Sequence, residues 1–403
     1  MNALPHTPIG TAPMLTFIHT ADWQLGKPFA GISDSAKRVR VQQERIDALR
    51  RIRDAVRARQ AKFVVVAGDL FDSPTPTKTT VAQSLGVIGE FGVPVYAIPG
   101  NHDHGGLDGL WDQPFFKQEH ANRAPNFQVL LERKPVVLDE AVLIPCPLLR
   151  RHETDDPTAW VRDLDFTPYG DTPRIVIAHG STTIFGGQAD GEDVGGPVNT
   201  IAIERLPLAD LDYVALGDWH GFTVAGPKSW YSGTHETDRF PKTDQLPGRV
   251  ACVTVSRGTR PVVEALVTGR LQWIAHELGM NDDGPRQCEQ TLTAATADAG
   301  FDACLVDLSL RGSVSLAARR ELDAVLESWS HRLLRLDVDD AVLLEPSPDE
   351  IHDLANRPGD PIISRVAGEL ARRLEGGGGD VADVRQAINI LHSLCTASPE
   401  TQP

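Results

Sequence analysis

Residues 63–72 read Phe-Val-Val-Val-Ala-Gly-Asp-Leu-Phe-Asp, an apolar run that ends in polar, metal-competent side chains. A continuous apolar run of this kind indicates a strand that is buried on both faces. Four other runs, which begin near Leu15, Val93, Arg174 and Tyr213, end in the same way. Their polar ends are His-Thr-Ala-Asp-Trp-Gln (19–24), Pro-Gly-Asn-His-Asp-His (99–104), His-Gly (179–180) and Gly-Asp-Trp-His (217–220).

These runs alternate with segments of helical spacing, which is typical of an α/β layer fold. The clearest helix is predicted at 36–62, because Val41, Ile46 and Leu49 recur at helical intervals among ten Lys and Arg residues. In open α/β sheets, ligands bind beyond the carboxyl ends of the strands. We therefore expect the five polar loops to meet at one sheet edge, and residues 249–267 to add further strands.

Composition and charge exclude several classes of protein. The 403 residues carry a formal net charge of −16, so net charge alone does not hold nucleic acid, although a local basic patch stays open. The five cysteines are scattered without a Cys-x-x-Cys pair, which argues against a disulfide scaffold and a structural zinc site and favours a reducing, cytoplasmic location. No apolar run reaches the roughly 18 residues of a membrane span. The Pro- and Thr-rich residues 1–13 are expected to form a short disordered leader.

The composition changes near residue 270. Residues 271–403 contain 23 Asp and Glu and 11 Arg, but no Lys. The chain is therefore predicted to have an α/β domain at 14–270 and a small accessory α+β domain at 271–345. Residues 346–403 are expected to form a connector followed by C-terminal helices.

The polar residues at the strand ends form one candidate metal site. Its predicted ligands are Asp22, Gln24, Asp69, Asn101, His179, Asp218 and His220. Such oxygen and imidazole donors suit Mn²⁺, Fe or Zn²⁺, and they are numerous enough for two divalent ions. Two ions about 3.5–4 Å apart can clamp the attacking and leaving oxygens of an in-line phosphoryl displacement, with Asp69 as the bridging carboxylate. His102 is the predicted catalytic residue, because it could stabilise the developing charge or protonate the leaving oxygen.

Taken together and in order, these motifs resemble those of calcineurin-like metallophosphoesterases. The resemblance rests on Asp22-x-Gln24, Gly68-Asp69, Gly100-Asn101-His102-Asp103, His179-Gly180 and Gly217-x-x-His220. Within that superfamily, residues 19–27, 67–72 and 231–240 are similar to SbcD-type DNA repair exonucleases and their YhaO-like relatives. Each motif alone is a weak signal, whereas all five in order are a strong one.

The resemblance implies a four-layer α/β sandwich of two mixed β-sheets flanked by helices, over roughly residues 14–270. It also implies a dinuclear phosphodiesterase, usually dependent on Mn²⁺, that acts as a DNA repair exonuclease through a metal-activated hydroxide. One ion would take Asp22, Gln24, Asp69 and His220, and the other would take Asp69, Asn101, His179 and Asp218. Two other functions stay open: hydrolysis of a small nucleotide or phosphoester, and a catalytically weakened regulatory subunit of an SMC-like ATPase.

Two positions depart from the family pattern. The first motif usually reads Asp-x-His and here has Gln24, and the last usually reads Gly-His-x-His and here has Asp218. Each predicted ion thus exchanges an imidazole for an oxygen ligand, which shifts the expected preference towards Mn²⁺ or Mg²⁺ and away from Zn²⁺. The ion on the Gln24 side could be weak enough to depend on substrate.

Three features near the predicted site keep two interpretations each. His235 and Glu236 lie in the loop that is similar to a late family motif, where they position substrate or only pack. The basic helix at 36–62 is a track for DNA phosphates or a solvated face. The Gly-rich residues 184–200 are a lid or an ordinary substrate loop.

The C-terminal region has two interpretations as well. After a connector at 346–361, helices are predicted at 362–375 and 380–396, split by four glycines. Their apolar faces fit binding to a coiled-coil ATPase of the SMC-like type, as the resemblance implies, or packing within the chain. A homodimer is also an expectation from the resemblance.

Overall fold

A computed structural model describes residues 14–182, 198–240, 246–345, 347–357, 359–376 and 381–396. The predicted leader, 1–13, lies outside these residues, and so do positions 184–197 of the predicted Gly-rich loop. The chain divides into two compact units, Met1–Leu271 and Gln272–Pro403.

In its described residues, the first unit alternates strands with three helices and then continues as strands. The helices are α1 (Ser35–Arg59), α2 (Lys78–Gly89) and α3 (Pro114–Arg123). The strands are β1 (Leu15–Thr20), β2 (Val64–Ala67), β3 (Val95–Ile98), β4 (Phe127–Val129), β5 (Val136–Val137), β6 (Val142–Cys146), β7 (Arg174–His179), β8 (Ser181–Thr182), β9 (Thr200–Ile201), β10 (Tyr213–Gly217), β11 (Thr223–Gly226), β12 (Ser229–Tyr231), β13 (Arg249–Val255) and β14 (Val262–Val267). The five apolar runs of the sequence correspond to β1, β2, β3, β7 and β10.

Two mixed sheets form the centre of this unit. The first has the order β14-β13-β1-β2-β3-β4, in which β1 to β4 are parallel and β13 is antiparallel to both of its neighbours. The second has the order β11-β12-β10-β7-β6-β5, parallel in the middle with an antiparallel strand at each edge. Buried side chains of both sheets, including Phe17, Val65, Ile177 and Ala215, pack in one core between them. The predicted α/β sandwich of two mixed sheets is therefore confirmed.

The outer faces of the two sheets are covered in different ways. Helices α1, α2 and α3 cover the first sheet, where Leu49 and Ile52 are fully buried. The second sheet is covered, within the described residues, by loops and the 3₁₀ turns Ala159–Asp163 and Ile203–Arg205, where the sequence suggested helices. Prolines at 147, 157, 168 and 173 explain the difference between β6 and β7, because proline removes a helical N–H donor and clashes with the preceding turn.

The second unit contains a parallel sheet and five helices among its described residues. In chain order these elements are β15 (Gln272–Met280), α4 (Gly284–Ala295), β16 (Cys304–Val314), α5 (Leu316–Arg332), β17 (Arg335–Leu344), α6 (Pro348–Ala355), α7 (Pro361–Gly376) and α8 (Val381–Thr396). The strands are parallel in the order β15-β16-β17. No helix of the described residues combines the length and the apolar composition needed to cross a bilayer.

Helix α6 corrects the expectation of a plain connector at 346–361. Ser347 accepts a hydrogen bond from the backbone N–H of Glu350, whose side chain accepts one from the Ser347 backbone in return. This capping box starts a helix inside a segment that its prolines marked as a linker. Leu354 of α6 then packs with Ala367 of α7 and Ile388 of α8, which supports packing within the chain.

Candidate metal centre

Four of the predicted ligands adopt a rare backbone conformation. The φ angles are 53° at Asp22, 39° at Gln24, 54° at Asp69 and 105° at Asp218. Non-glycine residues seldom take positive φ, and such strain concentrates at functional sites. All four follow the ends of β1 and β2 in the first sheet or β10 in the second, where the chain turns sharply.

Two glycines allow the loops to approach this closely. A Cβ on Gly68 would lie 2.2 Å from His179 Nδ1, and one on Gly100 would lie 2.1 Å from Asp69 Oδ1. Gly68 also has a φ of +95°, a backbone conformation that independently favours glycine. The glycines that precede Asp69 and Asn101 in the motifs are therefore required by contact distances.

Three predicted ligands have an oxygen atom near the ring of His179. His179 Nε2 lies 2.9 Å from Asn101 Oδ1, 3.6 Å from Asp69 Oδ2 and 3.9 Å from Asp218 Oδ1. Donors around one ion with bonds of about 2.1 Å are separated by roughly 3.0–3.4 Å, so this spacing fits a single divalent ion with little adjustment. His179 Nδ1 is 2.8 Å from the carbonyl oxygen of Ala67, which orients the ring so that Nε2 faces the other donors.

Asp22 adds a further carboxylate beside this group. One donor atom each of Asp22, Asp69 and His179 lies within 4.8 Å of the other two, and all three residues are buried. Burial acts to lower the pKa of His179, but the charges of Asp69, Asp22 and Asp218 raise that pKa to about 9. Burial also raises the pKa of Asp22 to about 6, although the charges of His220 and His179 act to lower it. So much buried negative charge creates the electrostatic condition for binding a cation.

Asp218, which replaces a family histidine, is held by two hydrogen-bonding partners. Ser181 Oγ donates to Asp218 Oδ2 at 2.7 Å. The backbone N–H of Asp218 donates to the Asp22 carboxylate at 3.1 and 3.2 Å. Sequence reasoning missed Ser181, and its only signal was its position two residues after His179. The structure thus gives Asp218 the outer partner that an oriented metal ligand needs.

His102 lies at the edge of the ligand group. Its backbone N–H donates to Asp69 Oδ1 at 3.0 Å, and its Nδ1 is 2.8 Å from the carbonyl oxygen of Asp72. Its Nε2 is 3.9 Å from Asp69 Oδ2. Because Nδ1 donates to a carbonyl, Nε2 is the nitrogen on the side of the metal centre. The ring is 18% exposed, so a ligand from solvent can reach it.

Asp103 ties the second and third motifs together. Its Oδ2 accepts from the backbone N–H groups of Leu70 and Phe71 at 2.8 and 3.1 Å, and its Oδ1 accepts from that of Gly100 at 2.8 Å. Burial raises the pKa of Asp103 to about 7. The residue holds the loop after Asp69 against the loop that carries Asn101.

The basic helix α1 contributes a buried arginine to the support of the site. The Arg45 guanidinium donates to the carbonyl oxygens of Trp23, Asp22 and Glu236 and to Thr234 Oγ1. These bonds fix the loop that carries the first motif. Arg45 therefore belongs to the interior of the protein, and it cannot serve the phosphate track that the sequence suggested for this helix. Exposed basic residues of α1 are Arg40, Arg57 and Arg59.

The structure places His235 and Glu236 in the interior behind the first motif. His235 Nε2 is 2.8 Å from the carbonyl oxygen of Arg45. The Glu236 carboxylate accepts from Arg51 and from the backbone N–H groups of Arg270 and Leu271, and burial raises its pKa to about 7. Both side chains are fully buried and bonded within the protein. Their predicted role in positioning substrate stays a prediction.

The other predicted quartet, which contains Gln24 and His220, meets cationic side chains. Gln24 Oε1 accepts from Lys27 Nζ at 2.8 Å, and the same ammonium is 2.6 Å from Asp238 Oδ2. His220 Nδ1 is 3.2 Å from Asp238 Oδ2 and 2.9 Å from Arg239 Nη2.

These cations change what the quartet can hold. Burial acts to raise the pKa of Asp238, but the charges of His220, Lys27 and Arg239 hold it well below its usual range. A divalent ion bound to Gln24 and His220 would lie close to the positive charges of Lys27 and Arg239, and like charges repel strongly at short distances. As arranged, Lys27 contacts Gln24 and Arg239 contacts His220, and the role of this quartet as metal ligands stays a prediction.

Comparison with known proteins agrees with this geometry. The family described as calcineurin-like phosphoesterase matches residues 15–222. The chain is also similar to the "Uncharacterized metallophosphoesterase YhaO" of Bacillus subtilis (strain 168), with 36% identity over 102 residues. That match spans 24% of this chain and 24% of the length of the curated relative.

A solved structure covers 61% of this chain and 100% of its own, at 14% identity and a TM-score of 0.36, a similarity too low to bear on function. The family match, by contrast, includes all five motifs and more than half of the chain. The chain belongs to the calcineurin-like phosphoesterase family.

Proposed function

We propose that this chain is a metal-dependent phosphodiesterase that cleaves DNA. The observation that carries the proposal is the convergence of Asn101, Asp69 and Asp218 within 2.9–3.9 Å of His179 Nε2, beside His102. A divalent ion bound there would act as a Lewis acid on the phosphoryl group and lower the pKa of a water nucleophile. The same arrangement supports hydrolysis of phosphoesters in general, and DNA is the more specific part of the proposal.

His102 is the proposed catalytic residue. The carbonyl of Asp72 holds Nδ1, so Nε2 is the atom that would donate a proton to the leaving oxygen or stabilise charge on the phosphoryl group. Asp69 accepts from the His102 backbone, which keeps the ring beside the ligand group. The hydrogen bond from His102 to Asp69 thus fixes the proposed proton donor beside a predicted metal ligand.

The proposed substrate is supported by access and by sequence similarity. The side chains of His102 and Asp218 are each 18% exposed, whereas His179 is fully buried, so a phosphodiester would approach from the side of His102 and Asp218. The motifs at 19–27 and 67–72 are similar to those of DNA repair exonucleases. Arg40, Arg57 and Arg59 are exposed on α1, where Arg57 contacts the carbonyl oxygen of Glu90 and Arg59 pairs with Glu264.

A nuclease assay tests this proposal. End-labelled single- and double-stranded DNA is incubated with the full chain and Mn²⁺, Mg²⁺ or a chelator, beside His102→Ala and the control His331→Ala, an exposed histidine of α5. We expect metal-dependent cleavage that His102→Ala loses and His331→Ala keeps. No cleavage of either DNA with any metal would refute the DNA part. Loss of activity on bis-p-nitrophenyl phosphate as well would refute the phosphodiesterase.

Several finer properties are proposed from the resemblance and composition alone. They are exonuclease activity in DNA repair, Mn²⁺ as the metal, an SMC-like coiled-coil ATPase as partner, a homodimer and a cytoplasmic location. Ile362 on α7 and Leu394 on α8 are exposed apolar residues that could contact such a partner. Light scattering tests the dimer, because a monomer has a mass of 43.8 kDa.

A further inference from the structure

Lys27 contacts two side chains on the Gln24 side of the site. Its ammonium bridges Gln24 Oε1 at 2.8 Å and Asp238 Oδ2 at 2.6 Å, and Asp238 is 1% exposed. A buried carboxylate is stable only when it is paired and hydrogen-bonded. Lys27 and His220 both contact this carboxylate, so Asp238 links the lysine to a predicted metal ligand.

The identity of residue 24 matches this arrangement. A histidine at this position would offer an imidazole, which binds divalent transition metals well. An amide oxygen is a weaker metal ligand but a good acceptor for an ammonium. Gln24, Lys27 and Asp238 therefore form one complementary set, in which Gln24 accepts from Lys27 and Lys27 pairs with Asp238, 211 residues further along the chain.

We propose that the ammonium of Lys27 takes the place of the divalent ion on the Gln24 side, so that the centre binds one ion and supplies the other positive charge itself. The single ion would be held by Asp69, Asn101, His179 and Asp218. An ion bonded to Gln24 Oε1 would lie within about 5 Å of Lys27 Nζ, where the like charges repel. This inference rests on the proposed function, because it concerns the same phosphodiesterase centre.

The second departure from the motif fits the same arrangement. Asp218 brings a negative charge to the retained ion in place of a neutral imidazole, and Ser181 orients it at 2.7 Å. The retained ion is thus bound more strongly on one side, while a fixed cation stands on the other. The two departures together convert a site for two ions into a site for one ion and one ammonium.

Counting bound metal tests the proposal without reference to activity. The metal-free full chain is titrated with Mn²⁺ by calorimetry, and the bound ions are examined by electron paramagnetic resonance. Four proteins are compared: wild type, Lys27→Met, Gln24→His combined with Lys27→Met, and the control Lys62→Met. Lys62 is an exposed lysine that contacts Glu140 at 3.3 Å, outside the site.

We expect one Mn²⁺ per chain and an uncoupled spectrum for wild type and for Lys62→Met. Lys27→Met should raise the affinity for a second ion by at least about tenfold, because the repulsion is removed. The double variant should bind two ions with an exchange-coupled spectrum, since an imidazole replaces the amide.

Several results would overturn the proposal. Two ions of similar affinity in wild type would exclude it and leave the phosphodiesterase intact. A double variant that is folded by circular dichroism but still binds one ion would also exclude it. No bound ion in wild type would refute the proposed function as well. If the variants do not fold, the count and spectrum of wild type alone decide.

Discussion

Arg45 is a buried residue that holds the loop after β1, which carries Asp22 and Gln24. Its guanidinium makes two hydrogen bonds to the carbonyl oxygen of Trp23 and one each to the carbonyl oxygens of Asp22 and Glu236 and to Thr234 Oγ1. The substitution Arg45→Met keeps the apolar stem of the side chain and removes all five bonds.

The neighbouring contacts set the size of the effect. The carbonyl oxygen of Trp23 loses both arginine donors, whereas those of Asp22 and Glu236 share the single hydroxyl hydrogen of Thr234, whose Oγ1 lies 2.9 and 3.1 Å away. A buried carbonyl without a donor costs about 1–3 kcal/mol, and a hydrogen bond to a charged group contributes about 1.5–3 kcal/mol. Removal of the buried charge itself offsets part of this loss. We therefore expect the free energy of unfolding to fall by about 3–5 kcal/mol.

Urea unfolding followed by tryptophan fluorescence measures this change. The matched control is Arg59→Met on the same helix, because Arg59 pairs with Glu264 at the surface, where both side chains are more than 40% exposed. Such a surface pair contributes about 0–1 kcal/mol. Arg45→Met should also weaken Mn²⁺ binding, since the loop of Asp22 loses its support. Equal losses for the two variants would refute this account of how the loop is held.

Three further predictions concern single residues of the same unit. Gly100→Ala should abolish Mn²⁺ binding in calorimetry, because its Cβ would lie 2.1 Å from Asp69 Oδ1, whereas Gly86→Ala in α2, which meets nothing within 4 Å, should bind normally. Ser181→Ala should weaken Mn²⁺ binding by about tenfold or more, because Asp218 loses an orienting partner; an unchanged titration would contradict this. Burial lowers the pKa of His19 to about 3, so the unfolded chain binds the extra proton between about pH 6.5 and 3. The stability that depends on His19 is therefore present above about pH 6.5 and falls by up to about 1.4 kcal/mol per pH unit below it. His19→Gln should flatten that part of the curve in urea unfolding, and an identical curve would contradict the prediction.

The strand framework was predictable because burial on both faces leaves a direct trace in the sequence. The apolar runs that become β1, β2, β3, β7 and β10 are continuous, but the expectation of one sheet edge was wrong, because β1 to β3 lie in the first sheet and β7 and β10 in the second. Parallel pairing aligns the strand ends within each sheet, and the packing of the two sheets, which no motif encodes, brings the two sets of ends together. The covering of the second sheet was not predictable in this way, because its short 3₁₀ turns have no periodic pattern in the sequence.

The supporting contacts of the site were mostly invisible in the sequence. Lys27 carries no signal by itself, since its partner Asp238 is 211 residues away in the chain. Motif similarity leaves His235 and Glu236 between positioning substrate and packing, and their contacts with Arg45 and Arg51 are visible only in the folded chain. The start of α6 was encoded locally by its capping box, but the surrounding prolines favoured the prediction of a connector.

The position of the bound metal tests the central claim most directly. Crystals of the full chain grown with Mn²⁺ would be measured for anomalous scattering at the manganese edge. We expect one strong peak about 2.0–2.4 Å from donor atoms of Asp69, Asn101, His179 and Asp218, with Lys27 Nζ still bonded to Gln24. A peak of equal height between Gln24 and His220 would contradict the single-ion centre. A crystal with bound Mn²⁺ but no peak at His179 would contradict the metal centre itself.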